Sequence, residues 1–374
     1  MRDLLDRADL TRYARQFVWL ELNYDAPENR AFMTKFGAQA TPTFYVIDPH
    51  DERVRAMQPG AMSLKELEQF LDRGAGVLSE KSQTPADGAL MRGDTLLTEQ
   101  PEDAVKAYRE ALSQAPADWP RRELAEASLV QALQDSHQNQ ICADTAVSEA
   151  EHMKRDEIFT RTVVAGMWCM ADAGPAPWAD ADLAKLKPMA QEALALPTTV
   201  RDHRDSIYRT LMYIFVARND NDAAAKCSDR WLAELDAIKP TSDDERSALD
   251  IARVENIQIY GDPARILPAL EESERLMPNN YIASLRLAQM ELAAHHYSET
   301  IAACDRSLAR NPGANGRAWI LQMKAQALTQ QGKTEEARSA LEAALKAAQE
   351  IPTKMRDITV EKISQKMKAT EKRN

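Results

Sequence analysis

From Ala89 to the C-terminal end, apolar positions recur every three to four residues among Ala, Leu, Glu and Lys, and Pro, Gly or Asn interrupts the pattern about every fifteen to twenty residues. That spacing predicts a succession of helices joined by short turns. Residues 1–80 carry a different pattern. Phe17 to Asp25 is aromatic and β-branched and predicts a strand ending at an Asp turn. Pro27 opens a helix with Phe32, Met33 and Phe36 on one side and a stop at Gly37. The apolar run Phe44 to Ile47 then predicts a second strand, Pro49-His50-Asp51 a turn, and Arg53 to Met57 the returning strand of a hairpin. Ser63-Leu64-Lys65-Glu66 has the capping-box pattern of a helix continuing through Leu67, Phe70 and Leu71. The expected order is strand, helix, strand, strand, helix. Residues 1–16, with Leu4, Leu5, Ala8, Leu10 and Tyr13, read as part of a preceding helix.

Within the helical part the interruptions are periodic. Pro278 and Pro312 each close a helix, and 312 − 278 = 34. On that period Gly261 and Gly332 fall at a turn between helices, Ala288 and Ala325 at a small-residue contact in a first helix, and Ala337 and Ala344 at small contacts in a second. Ala104, Tyr108, Ala111 and Pro116 repeat the second-helix pattern. These features resemble tetratricopeptide repeats, whose paired antiparallel helices approach closely and leave an apolar side for the next pair to cover. The match is good over 87–116 and 243–350 and looser over 117–242, where long helices are expected at Ile158 to Met170 and Ser206 to Ala217 around a Gly174-Pro175-Ala176-Pro177 break. About seven pairs fit, each one supersecondary unit. After Pro352, Met355, Ile358, Ile363 and Met367 mark one side of a last helix, and Lys354, Lys362, Lys366, Lys368 and Lys372 lie elsewhere around it. A polar terminal cap is the expected role, and a basic helix for anionic lipid is its rival.

The N-terminal part carries a second resemblance. Pro42 in Ala40-Thr41-Pro42-Thr43-Phe44-Tyr45-Val46-Ile47-Asp48-Pro49, with Phe36-Gly37 before it and Pro59-Gly60 after the hairpin, resembles the cis-proline strand region of the thioredoxin family. The resemblance implies a three-layer α/β sandwich and a peptide-pairing loop at Thr41 and Pro42. The family's Cys-x-x-Cys dithiol and the central strand before it have no counterpart in this sequence. Three readings stay open: a chain that begins upstream of Met1, a degenerate domain that pairs its strands directly, and a half-domain completed by strand addition from another chain.

The fold class expected is therefore a partial thioredoxin-like α/β fold followed by an all-α, tetratricopeptide-like hairpin solenoid. Its parts are an incomplete thioredoxin-like domain at 1–80, a polar linker at 81–88, helix pairs over 89–352 and a capping helix at 353–374. Charge narrows the function. With 47 basic and 58 acidic residues the net charge is −11, which disfavours nucleic acid and anionic lipid as partners. The longest apolar run, Leu211 to Ala217, is far short of a bilayer span. As written the chain reads as cytoplasmic, or as periplasmic or exported if a signal segment precedes it. Cys142, Cys169, Cys227 and Cys304 lie far apart in helical stretches and read as buried reduced thiols. His295-His296 near Cys304 sits at a turn without a fourth ligand, and Asp220-Asn221-Asp222 lacks the Gly and closing Glu of a calcium loop. No phosphate-cradling loop or catalytic trio stands out, so no metal, cofactor or independent enzyme is expected.

The resemblance to helical repeats places Glu255, Gln258, Gln289, Trp319, Gln322 and Gln326 along a groove, an amide-rich set with one aromatic anchor. The expected partner is a protein or extended peptide held by hydrogen bonds and one ring, and the expected role a non-catalytic interaction scaffold. The alternative resembles bacterial thioredoxin and tetratricopeptide fusions: a thiol-disulfide oxidoreductase or redox-linked chaperone with its reactive half upstream of Met1.

Overall fold

The computed structural model describes residues 8–22, 29–36, 42–59, 62, 64–78, 84–97, 100–351 and 355–371. By compactness the chain forms two units, Met1–Asn221 and Asp222–Asn374.

The first unit opens with a 3-10 helix, Ala8–Tyr13, and a short helix α1, Arg30–Phe36. Strand β1, Thr43–Ile47, pairs antiparallel with β2, Val54–Pro59, in the register Tyr45 to Met57 and Val46 to Ala56, with an irregularity between Val46 and Ile47. The hairpin packs on α2, Leu64–Leu78, through Leu10, Tyr13, Val46, Ala56, Leu67, Phe70 and Leu71. Tyr13 ties the first turn to this helix, its hydroxyl 2.6 Å from Asp72 Oδ1 and 3.1 Å from the Glu68 carbonyl.

Two expectations for this region change. The predicted strand at Phe17 to Asp25 is not a strand where it is described: residues 17–22 pair with no strand, and Val18 and Leu20 stand exposed. Residues 23–25 lie outside the described residues. Among the described residues the sheet has two strands, less than the sandwich that the thioredoxin resemblance implies. β-Branched and aromatic content favours extended backbone, but a strand also needs a neighbour's backbone groups, and that depends on distant sequence.

Helix α3, Pro85–Leu96, starts inside the polar 81–88 segment. Thr84 caps it and Asp87 closes a capping box, its Oδ2 accepting from the Thr84 backbone N–H at 3.1 Å. Six helices follow in this unit: α4 (Pro101–Gln114), α5 (Arg122–Asp135), α6 (Asn139–His152), α7 (Glu157–Ala173), α8 (Ala179–Ala195) and α9 (Arg201–Ala217). Pairs α3/α4, α5/α6 and α7/α8 form hairpins, and each hairpin packs on the next. The first helices α5, α7 and α9 touch in sequence and make one layer, while α6 and α8 make the other. The β-hairpin docks on this stack: β2 lies on α3, and Arg161 Nη1 of α7 donates to Gln58 Oε1 at 3.0 Å.

Close approach between packed helices is achieved with residues too small to collide. A Cβ on Gly93 of α3 would lie 2.4 Å from the ring of Tyr108 on α4, and one on Gly166 of α7 would lie 2.5 Å from Ala146 Cβ on α6. Tyr108 cannot step aside, since it is fully buried and its hydroxyl donates to Asp94 Oδ1 at 2.9 Å. Gly93→Ala should therefore destabilise the chain by about 1–2 kcal/mol in chemical denaturation, overpacking outweighing the helix propensity that alanine adds.

The second unit contains α10 (Asn221–Asp236), α11 (Asp243–Ile259), a 3-10 turn at Pro263–Arg265, α12 (Leu267–Leu276), α13 (Tyr281–Ala293), α14 (Tyr297–Ala309), α15 (Ala314–Gln330), α16 (Thr334–Gln349) and α17 (Met355–Glu371). Ser242 and Asn280 cap α11 and α13. Hairpins α11/α12, α13/α14 and α15/α16 stack, and again the first helices α11, α13 and α15 adjoin one another. The end of the stack is closed by α17, whose buried Ile363 and partly buried Val360 and Met367 pack on Ala340, Leu341, Ala344 and Ala348. Ile363 and Met367 of the expected apolar side are thus covered by protein, while Ile358 is 48% exposed.

A recurrent turn ends the first helix of the pairs. His137, Gly174, Asn219, His295 and Gly332 all have positive φ, between 56° and 74°. At four of them the next residue's N–H reaches five residues back: Gln138 to the Leu133 carbonyl (3.0 Å), Asp220 to Phe215 (2.9 Å), His296 to Glu291 (2.8 Å) and Lys333 to Leu328 (3.0 Å). This left-handed cap satisfies the last carbonyls of the helix and reverses the chain within a few residues. Of the two turn glycines expected from the period, Gly332 takes this conformation and Gly261, at φ 151°, a more extended one.

The cysteines need correcting. Cys142 of α6 and Cys169 of α7 form a disulfide, with Cα atoms 6.2 Å apart, and both are fully buried. Cys227 and Cys304 lie outside this bond and are the buried, reduced cysteines that all four were expected to be.

One electrostatic feature of the first unit sets a pH dependence. Glu126 of α5 is pushed up to about 7, by burial first and then by the charge of Glu149 on α6. A carboxyl whose folded pKa lies above its unfolded value binds more protons when folded, so stability falls as pH rises from about 4.5 to about 7. Glu126→Gln should raise the unfolding midpoint at pH 8 and leave it nearly unchanged at pH 4.5, measured by thermal denaturation at both.

Candidate functional site

The groove residues named from the sequence fall on α11, α13 and α15, the first helices of the second unit. Each helix presents a stripe: Ser247, Ile251, Glu255 and Gln258 on α11, Arg286, Gln289 and Ala293 on α13, and Trp319, Gln322 and Gln326 on α15. Spacings of three and four residues keep each stripe on one side of its helix. Adjacent stripes meet. Arg286 Nη1 on α13 donates to the Ser247 carbonyl at 2.8 Å and to Ser247 Oγ at 2.9 Å on α11.

Exposure divides the set. Trp319 is 48% exposed and Ile251 44%, two large apolar groups left open to solvent on a repeat that buries most others. Gln258 and Gln326 are exposed, and Glu255 and Gln289 are half-buried. Gln322 is committed elsewhere: its amide donates to the Ala318 carbonyl at 3.2 Å, and its Oε1 accepts from Lys366 Nζ of α17 at 3.1 Å. It fastens the last helix to the face and is not free to meet a ligand with both ends.

Sequence reasoning missed the cation. Arg286 lies three residues before Gln289 on the same stripe, and burial lowers its pKa while Asp250 opposes that effect. Asp250 is itself fully buried on α11, its pKa raised by burial against hydrogen bonding from Ser273 and the charges of Arg253 and Arg286. Arg253 bridges Asp250 (3.3 Å) and Asp236 (3.0 Å). Asp250 and Arg253 thus form a buried charged layer under a face that itself carries Glu255 and Arg286 beside its amides, so the expected mostly neutral set is only part of it. An Arg at a helix position three before a groove residue was the available signal.

The other candidate is the loop at Thr41 and Pro42. Thr41 lies outside the described residues, and Pro42 is half-buried immediately before β1. Turn histidines are structural: His295 holds the left-handed position, and His296 Nδ1 lies 2.7 Å from Glu291 Oε2. No group of three metal-ligating side chains occurs among the described residues. No helix among them is long and apolar enough to cross a membrane.

No protein-family model and no curated protein matches this chain. Among solved structures, a tetratricopeptide repeat protein from Parabacteroides merdae is similar at 10% identity and a TM-score of 0.44, covering 77% of this chain and 99% of that one. The TPR2AB domain of yeast Sti1, solved as a complex with pHSP90, is similar at 15% identity and a TM-score of 0.28, covering 75% of this chain and 98% of that one. The helix pairs of this chain stack as antiparallel hairpins. At these scores the superpositions add nothing to the hairpin stacking and left-handed turns described above.

Proposed function

We propose that the chain is a non-catalytic interaction scaffold that holds an extended polypeptide segment along α11, α13 and α15. One observation carries this reading: the indole of Trp319 stands 48% exposed on a first-helix face, beside amide side chains and within a unit whose other large apolar groups are mostly buried. An aromatic ring ringed by hydrogen-bonding groups suits a peptide that offers one apolar side chain and its backbone. Ile251, on the next helix but one, supplies a second apolar contact. The net charge of −11 turns the same face away from nucleic acid. For the N-terminal region we read the order β1, β2, α2, with Pro42 ahead of β1, as a degenerate thioredoxin-like module; its support is the sequence around Pro42 and the hairpin that follows it.

A photoreactive amino acid placed at Gln326, exposed on α15, should cross-link polypeptide in cell extract, and the same group at Glu342, exposed on α16, should not. Equal yields from both positions, or none from Gln326, would overturn the assignment.

A further inference from the structure

The disulfide has a consequence for where this chain matures. Cys142 and Cys169 are both fully buried between α6 and α7, in the same seam where Ala146 meets Gly166 so closely that one added methyl would collide. Thr162 Oγ1 against Met153 Sδ, 3.3 Å apart, continues that seam beyond Gly166. Once these helices have closed, no oxidant can reach either sulfur. Thiol-disulfide exchange requires a thiolate to attack a disulfide sulfur directly, so the bond must form before the helices pack, while the chain is folding. Buried thiols that fold in a reducing compartment stay reduced, and structural disulfides are accordingly rare there.

We propose that the chain folds and works in an oxidising compartment, where an exchange partner joins Cys142 to Cys169 before α6 and α7 close. The step balances. The thiolate of one cysteine attacks the disulfide of a protein or small-molecule oxidant, giving a mixed disulfide. The second cysteine then attacks the mixed disulfide and displaces the partner sulfur; the oxidant leaves carrying the two electrons, as a dithiol if a protein or as two thiols if a small molecule, and the two cysteine protons end on its sulfurs by way of solvent. Cys227 and Cys304 take no part, since both lie buried in the other unit and burial pushes the Cys304 thiol up to about 12.

Thiols are trapped by acid quenching of the cells that naturally make the protein, and the chain is then denatured and alkylated without reductant. The expected result is alkylation of Cys227 and Cys304 alone, with a linked Cys142–Cys169 peptide in the mass spectrum; alkylation of all four would overturn the proposal. A second arm uses the full chain folded in its reduced state and exposed to oxidised glutathione. Bond formation should be on the order of a hundredfold or more slower in the native protein than in the same protein refolding from denaturant, since opening must precede exchange. Equal rates would show that the sulfurs are reachable after folding and remove the link to the folding compartment.

Discussion

Replacing both bridging cysteines, Cys142→Ala with Cys169→Ala, is expected to lower stability by about 3–4 kcal/mol, the loop-closure effect for a cross-link between residues 27 apart. Small cavities left by the sulfurs add to this, because the seam has no space into which neighbours can relax. The loss should appear in urea unfolding of the first unit, monitored through Trp168, and the wild-type protein unfolded in the presence of reductant should approach the variant. Reductant should leave the variant's own midpoint unchanged. A variant as stable as the wild type would show that the bond contributes nothing to holding α6 on α7.

Trp319→Ala is expected to weaken binding of a peptide selected on the full chain by thirtyfold or more, the loss of about 2 kcal/mol that a central aromatic anchor typically brings. Its effect on folding should be small, because nearly half of the side chain already faces water. Calorimetric titration together with a thermal melt separates the two: affinity falls, the midpoint stays. Gln322→Ala should behave in the opposite manner, loosening α17 through the lost contact to Lys366 while changing affinity less. If Trp319→Ala changed the midpoint and left affinity intact, the ring would be a packing element.

The helix pairs were legible because their determinants are local. Pro278 and Pro312 end helices by chemistry that needs no partner, and Ala288, Ala325, Ala337 and Ala344 mark close contacts by size alone; all four alanines are buried. Gly93 and Gly166 serve the same purpose in the first unit but went unread, since a glycine inside a helical pattern shows its function only once the opposing Tyr108 or Ala146 is in place. His137, Asn219 and His295 were equally hidden as turn residues. Asn and His adopt positive φ more readily than most side chains, yet a repeat sought through its glycines passes over them.

Long-range pairings were the least readable. Nothing within reach of Cys142 points to Cys169, and only the antiparallel packing of α6 on α7 brings them together. The stretch Phe17 to Leu22 has strand composition without strand pairing, because pairing belongs to two segments and composition to one. The residues expected to line a groove fall on α11, α13 and α15, but the contacts of Arg286 with Ser247 and of Gln322 with Lys366 of α17 are long-range pairings that the spacing along one helix does not encode.

Hydrogen exchange of the full chain with and without a peptide selected from a random-sequence library tests the central claim most directly. Protection confined to α11, α13 and α15 is the predicted result. Protection on the second helices α12, α14 and α16, or none in this unit at saturating peptide, would contradict it.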